Sequence, residues 1–248
     1  MPGVYSFSLW SKNMESLQNK ISPSVAIIIT GIIIAGAILF SSRLPAPAAA
    51  IQPQGQAPAQ PTGDLEAMTA VTAGDHIRGD INAPVKVVEY SDTECPFCKQ
   101  FHNTMKQVVS TYGSQVAWIY RHFPLDSLHA KARKEAVALE CAGDQGGNDK
   151  FWAYADRVYE VTPSNDGLDA AELPKIAQYV GLDVAEFNSC LTSGKFDKHI
   201  QDEVANATAT GGQGTPWSIV VGKDEKKYPL SGALPYANVK QIIDQALK

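Results

Sequence analysis

The chain has no excess of positive charge. Its 248 residues carry 21 Lys and Arg against 26 Asp and Glu, a net charge of −5. Lys12, Lys20, Arg43 and Glu15 are the only charged side chains through residue 43, so the rest holds 18 basic and 25 acidic side chains. Binding phosphates needs a basic surface, and no basic stripe with interleaved aromatics is present, which argues against nucleic acid as a partner. Internal repeats of fixed period are also missing, which excludes the solenoid and propeller classes. Cysteine is scarce: Cys95, Cys98, Cys141 and Cys190 are the four in the chain. No second C-x-x-C and no H-x₃-H follows the one at Cys95, so the four-ligand spacing of a zinc site is absent. With 44% hydrophobic and 19% charged residues, what is present suits a globular domain with one good core.

Long apolar runs are nearly absent too, and the one that exists sits at the N-terminus. Val25 to Phe40 is weakly polar to apolar throughout, diluted by Thr30, Gly31 and Gly36. A spanning helix takes about 20 residues and the core of a signal peptide roughly 7–15, so this run falls between them. Serines at 22, 24, 41 and 42 could complete a short span. The long segment before the run favours a retained anchor, while Ala46-Pro47-Ala48 and Ala48-Ala49-Ala50 resemble cleavage sites, so both readings stand. The expectation is a cytoplasmic segment over 1–23, a transmembrane anchor or signal over 24–42, and a domain on the far side of the membrane. Lys12 and Lys20 before the run agree with an N-terminus inside. Leu44 to Thr62 is uncharged and rich in Pro, Ala and Gln, the composition of a flexible tether, and the linker is assigned to 43–66.

Within the domain, 67–248, hydrophobic periodicity predicts an α/β order. A strand is expected over 84–90, a loop over 91–94, a helix over 95–112 ended by Gly113, and a strand over 116–122. A helical block of some 80 residues, about 127–208, carries stripes such as Ala132, Ala136, Leu139 and Phe151, Ala155, Val158. Asp183 followed by Glu186 reads as a helix start. Strands over 217–221 and 227–230 and a last helix through Val239, Ile242, Ile243 and Ala246 close the chain. Such an order buries both faces of an open sheet under helices.

Cys95-Pro96-Phe97-Cys98 falls at a strand-to-helix junction. A helix N-terminus offers free N–H groups and the positive end of the macrodipole, and both favour the thiolate of Cys95, the nucleophilic form. Pro96 suits the first turn. Cys98, one turn on, is placed to attack a mixed disulfide formed at Cys95, so Cys95 exchanges and Cys98 resolves. The competing readings are a copper or zinc ligand pair completed by His102 and an inert structural pair. Neither a metal nor a cofactor is assigned.

The stretches Gly79-Asp80 through Asn82-Ala83-Pro84-Val85, Val88-Glu89-Tyr90-Ser91-Asp92, Cys95-Pro96-Phe97-Cys98, Arg121-His122-Phe123-Pro124-Leu125 and Gly214-Thr215-Pro216 together resemble the DsbA-like thiol–disulfide oxidoreductases. The resemblance spans roughly 68–248 and implies a thioredoxin fold with an inserted all-helical subdomain, here preceded by a single N-terminal transmembrane helix. It implies that Pro216, after Thr215, is a cis-proline beside the dithiol and that Glu89 is a buried acid that shuttles the proton of Cys98. An ordinary trans proline and a solvated Glu89, with Val88 and Tyr90 facing the core, are the alternatives. Phe97 stands where the best-known members have histidine, which predicts a less oxidising pair, and Thr215 also precedes the proline in isomerases of the wider family. The resemblance implies exported proteins with cysteines as substrates and a membrane quinone-linked reoxidising partner, DsbB-like or VKOR-like. Disulfide donation is the expected activity, a reductase or isomerase kept reduced is the alternative, and a metal-binding or client-holding module is the third.

Cys141 and Cys190 are expected on helices of the insertion. An even count in an oxidising compartment favours a structural disulfide, against two unpaired core thiols. His122 and His129 read as structural or surface residues. Asn206-Ala207-Thr208 matches a glycosylation acceptor but carries no weight.

Overall fold

The computed structural model describes residues 63–248. The expected cytoplasmic segment, the anchor or signal and most of the tether lie outside the described residues. Among the described residues no helix is long and apolar enough to cross a membrane.

The elements run β1 (His76–Arg78), β2 (Val85–Ser91), α1 (Pro96–Tyr112), β3 (Val116–His122), α2 (Ala132–Val161), α3 (Glu172–Tyr179), α4 (Val184–Leu191), α5 (Asp197–Ala209), β4 (Trp217–Val221), β5 (Lys227–Ser231) and α6 (Tyr236–Ala246). The sheet order is β1-β3-β2-β4-β5. Strands β2 and β3 pair in parallel because α1 crosses between them, while β4 and β5 turn directly back on each other and pair antiparallel. This is a thioredoxin-like sheet, with α2 to α5 inserted between β3 and β4.

Both faces of the sheet are covered, so β2 and β3 are buried almost throughout. Residues alternate between faces along a strand. Val85, Val87, Trp118 and Tyr120 join the core formed with Phe101, Met105 and Val108 of α1 and with Phe151, Ala155 and Val158 of α2. Val88, Tyr90, Ala117 and Ile119 join a second core with Ala207 of α5, Trp217 and Ile219. A strand buried on both faces removes the ground for a solvated Glu89: Val88 and Tyr90 do face a core, and so does Glu89, on the other side.

The insertion departs from the expected block in two ways. It starts at Ala132, since 127–131 form turns, and α2 bends at Gly147, whose φ of 72° lies in the left-handed region that glycine adopts without penalty. The two apolar stripes read from sequence belong to the two arms of this bent helix. Asp183 caps α4 by accepting from the Glu186 amide at 2.8 Å. Cys141 of α2 and Cys190 of α4 are joined as a disulfide with Cα atoms 5.8 Å apart. Strand β1 had no sequence signal, because three residues are too few to show alternation. It is held by pairing with β3 and by Asn148 of α2, whose side chain exchanges two hydrogen bonds with the Ile77 backbone.

Polar side chains tie the insertion to the sheet. Glu140 of α2 receives His76 of β1 and His122 of β3, each at 2.9 Å, and His199 of α5 at 3.5 Å. These contacts hold the Glu140 carboxyl well below its usual range although burial opposes them. Asn206 accepts from Thr69 and from the Tyr90 hydroxyl and donates to the Ala67 carbonyl, anchoring the start of the described chain. Its side chain is therefore engaged inside the fold.

Candidate active site

Strand β2 ends at Ser91, and the turn that follows is built by Asp92. The Asp92 carboxylate accepts from the Glu94 amide at 2.8 Å, and its carbonyl accepts from the Cys95 amide at 3.2 Å. The other carboxylate oxygen takes the Leu125 amide at 2.8 Å and His129 Nδ1 at 2.9 Å. Burial opposes the charge on His129, but Asp92 lifts its pKa above the usual value. Cys95 then occupies the N-cap of α1 with extended backbone, and Pro96 is the first helical residue. Phe97 points outward and is 61% exposed.

The two thiols differ sharply. Cys95 retains 4% exposure and Cys98 none. Cys95 is lowered to about 6, chiefly by a hydrogen bond from the Cys98 thiol, with burial opposing and Thr215 and the amides of Cys98 and Phe97 adding to the lowering. Cys98 is pushed well above the usual thiol value by burial, by its bond to Cys95 and by the nearby Glu89 charge. The Asp92 amide donates to Cys98 Sγ at 3.4 Å. One thiol is thus prepared as thiolate and the other kept protonated until needed.

The Thr215–Pro216 peptide bond is cis. The Thr215 carbonyl lies 3.4 Å from Cys95 Sγ and accepts from the thiol. The Thr215 hydroxyl is buried without another partner, which leaves it as a donor for the thiolate. Thus Cys95, Cys98, Thr215 and Pro216 converge at one point, brought together from α1 and from the turn before β4.

Glu89 lies fully buried beneath this point. Burial pushes its carboxyl up to about 7, partly offset by hydrogen bonds from Ser91 and Trp118. Ser91 Oγ donates to one carboxylate oxygen at 2.7 Å, and Trp118 Nε1 donates to the other at 2.8 Å. The Ser91 hydroxyl also meets the Tyr159 hydroxyl at 2.9 Å, and Tyr159 meets the Tyr120 hydroxyl at 3.1 Å.

A second acidic pair flanks the dithiol. Glu94 is buried, and its carboxylate accepts from the Gly167 and Leu168 amides, both at 3.2 Å. Burial and the Glu94 side chain raise Glu135 to about 9, so Glu135 holds a proton at neutral pH. The Glu94 carbonyl accepts from Asn165, in a loop where Ser164, Asn165 and Asp166 all take positive φ. The insertion is thereby clamped to the residue preceding Cys95.

Sequence reasoning singled out Cys95, Cys98, Glu89, Thr215 and Pro216, and the structure brings these together. It did not find roles for Ser91, Asp92 or Glu94, although Ser91 and Asp92 stand in the quoted motif. Tyr159 and Glu135 come from the insertion and gave no local signal. His102, weighed as a completing metal ligand, turns its Nε2 to Asp156 at 2.6 Å. Asp156 also receives Arg78 at 2.8 Å, so this histidine belongs to an ion cluster between α1, α2 and β1. Among the described residues no group of three or more His, Cys, Asp or Glu is arranged to hold a metal.

Comparison with known proteins sets this geometry among relatives. Among curated proteins, the Na(+)/H(+) antiporter NhaA 1 of Mycolicibacterium gilvum is 32% identical over 151 residues, covering 60% of this chain and 24% of that protein. The chain spans about a quarter of the length of the curated relatives it matches. Among solved structures, Pseudomonas aeruginosa DsbA2 superposes with a TM-score of 0.61 at 28% identity, over 72% of this chain and 97% of that one. Wolbachia pipientis alpha-DsbA1 gives a TM-score of 0.63 at 22% identity over 74% and 96% of the two chains. Oxidised BdbD of Bacillus subtilis gives 0.60 at 19% identity, over 74% and 95%. The fold is therefore that of a DsbA-like thioredoxin-fold protein. A family model described as Thioredoxin matches residues 71–245, and with that span the chain belongs to the thioredoxin family.

Proposed function

We propose that this oxidoreductase passes a disulfide between its Cys95–Cys98 pair and cysteine-containing proteins outside the cytoplasm. The observation that carries the reading is the asymmetry of the two thiols. Cys95 is lowered to about 6 and retains some exposure, while Cys98 is sealed and held protonated. A client thiolate attacks Cys95 Sγ, the Cys95–Cys98 bond breaks, and Cys98 leaves with the electron pair and takes a proton. A second client thiolate then attacks the client sulfur of the mixed disulfide, and Cys95 departs as a stabilised thiolate. Stabilising that thiolate favours the reduced pair, which makes the disulfide the stronger oxidant and supports donation over reduction. The wider reading has the domain tethered to the membrane by the N-terminal segment and reoxidised by a quinone-linked membrane protein. Antiport describes the whole curated relatives and finds no support in the described residues of this chain.

The test is capture. With an unfolded protein that carries disulfides, Cys98→Ala should accumulate mixed disulfides, all through Cys95, which breaks the client disulfide and then has no thiol to resolve it, and Cys95→Ala should accumulate none. Equal capture by both variants, or by neither, would remove the exchange reading. Clients held without a covalent bond would favour the client-holding alternative.

A further inference from the structure

We propose that the Ser91 hydroxyl is the relay through which the Cys98 proton passes to and from Glu89, with Tyr159 holding that hydroxyl in line. The inference rests on the thiol-exchange reading and deepens it.

Cys98 Sγ is closed off from solvent, so its proton must move within the protein. The Asp92 amide that touches the sulfur is a donor and cannot accept a proton. Ser91 adjoins Asp92, whose amide touches the sulfur, and the Ser91 hydroxyl lies close enough to Cys98 to lower its pKa against the effect of burial. The same hydroxyl donates to Glu89 Oε1 at 2.7 Å. Glu89 Oε2 is occupied by Trp118 Nε1, a donor only, so Oε1 is the oxygen open to a proton, and it is the one Ser91 faces. A serine hydroxyl has one proton and two acceptor sites. Three neighbours surround this one: the Cys98 sulfur, Glu89 Oε1 and the Tyr159 hydroxyl at 2.9 Å. Tyr159 fills the third position and is braced by Tyr120 at 3.1 Å and by the His102 ring at 4.4 Å.

The chain runs both ways. When Cys98 resolves a mixed disulfide, its thiol gives a proton to Ser91 Oγ while the serine proton moves to Glu89 Oε1. The electron pair left on Cys98 attacks Cys95 Sγ, the Cys95–client bond breaks, and the client sulfur leaves as thiolate. When Cys98 is instead the leaving group, protonated Glu89 donates to Ser91, and the serine proton neutralises the Cys98 thiolate. No further reactant is required. The carboxyl titrates at about 7, which suits a group that must both take and return a proton near neutral pH. The ionisable groups facing it are Cys95 and Cys98 of α1, Tyr159 of α2 and Tyr120 of β3, with His102 behind Tyr159.

The experiment loads Cys95 of the full chain with a chromogenic aromatic thiol as a mixed disulfide and follows its release by Cys98 across pH. Wild type should show a rate that rises through about pH 7 as Glu89 ionises. Ser91→Ala should release the thiol at least about tenfold more slowly and lose that rise. Its Cys95 alkylation midpoint should stay in place, which a general loosening of the site would not leave unmoved. Tyr159→Phe should slow release by a smaller factor and keep the rise. In mixtures of light and heavy water, the wild-type rate should depend on deuterium fraction along a curve, because two protons move together. A folded Ser91→Ala variant with wild-type rate and pH profile, or a linear deuterium dependence in wild type, overturns the relay and leaves the exchange reading intact. A wild-type mixed disulfide that never resolves sinks the exchange reading and the relay with it.

Discussion

The chain holds two cysteine pairs that share an element type and differ in everything that sets their chemistry. Cys95 and Cys98 lie one turn apart at the start of a helix, above a buried acid and against a cis-proline turn. Cys141 and Cys190 lie 49 residues apart in two helices of the insertion and are joined. The first pair is surrounded by donors aimed at one sulfur and by low-dielectric burial of the other. The second has its sulfurs in and against the apolar core, with Cys141 buried and Cys190 half-buried. Reactivity therefore follows the surroundings: a thiolate is made where N–H and O–H groups converge, and a staple where two helices bring sulfurs together with nothing to ionise them.

Substitution should separate the pairs most sharply in activity. Cys95→Ser should reduce exchange with a model disulfide peptide to background, whereas Cys141→Ser with Cys190→Ser should keep it within a few-fold. Steady-state turnover of both proteins checks this, and comparable losses would erase the distinction.

Stability should show the reverse. Removing the Cys141–Cys190 bond releases a loop of 49 residues' separation, which costs at most about 4 kcal/mol in the chain-entropy account. That corresponds to a melting temperature lower by roughly 10 °C for a domain of this size. Cys95→Ser should change the melting point of the reduced protein little. Thermal unfolding with the Cys95–Cys98 pair selectively reduced, and no reductant left to open Cys141–Cys190, compares them.

The buried acid adds a pH signature to the first region alone. Glu89 has a folded pKa of about 7 against a usual 4.5, so between those values the native state binds more protons than the unfolded one. Stability must then fall as pH rises through that window, by roughly 3 kcal/mol at full effect, and the loss is complete above about 7. Glu135 shares the sign, and its window extends to about 9. Glu89→Gln should make the fall below pH 7 shallower by the Glu89 share and leave the Glu135 share, which continues above it. Denaturant unfolding of the reduced protein at a series of pH values reads both.

Phe97→His should have the smallest effect of these. The side chain is exposed, so the fold tolerates the exchange, and an imidazole beside Cys95 adds a donor to its thiolate. The pair should become more oxidising by about 30 mV, the equivalent of about 1.4 kcal/mol. Equilibration with glutathione measures the shift.

What could be read from sequence follows the same division. Strand β2, helix α1 and the helix start at Asp183 were legible because their signals are local: β-branched runs, helical spacing and a capping pair. The dithiol was legible because its chemistry is carried by four consecutive residues. The turn of Thr215 and Pro216 and the acid Glu89 were legible through resemblance, since nothing local marks them as neighbours of Cys95. Strand β1 was too short to show a period. The contacts of Ser91 with Tyr159, Glu94 with Glu135 and Glu140 with three histidines join residues far apart in the chain, and no spacing rule reaches across an insertion. His122 looked partnerless because its partner, Glu140, stands on a different element and one turn of α2 decides which face it shows.

The reduction potential of the Cys95–Cys98 pair tests the central claim most directly, because it measures how far the surroundings of Cys95 stabilise the reduced form. For the full chain equilibrated in glutathione buffers, the account predicts a value between about −120 and −180 mV, in the range of strong oxidants and isomerases. A value near −270 mV or below would show that the thiolate gains too little from its position to drive disulfide donation, and would contradict the account.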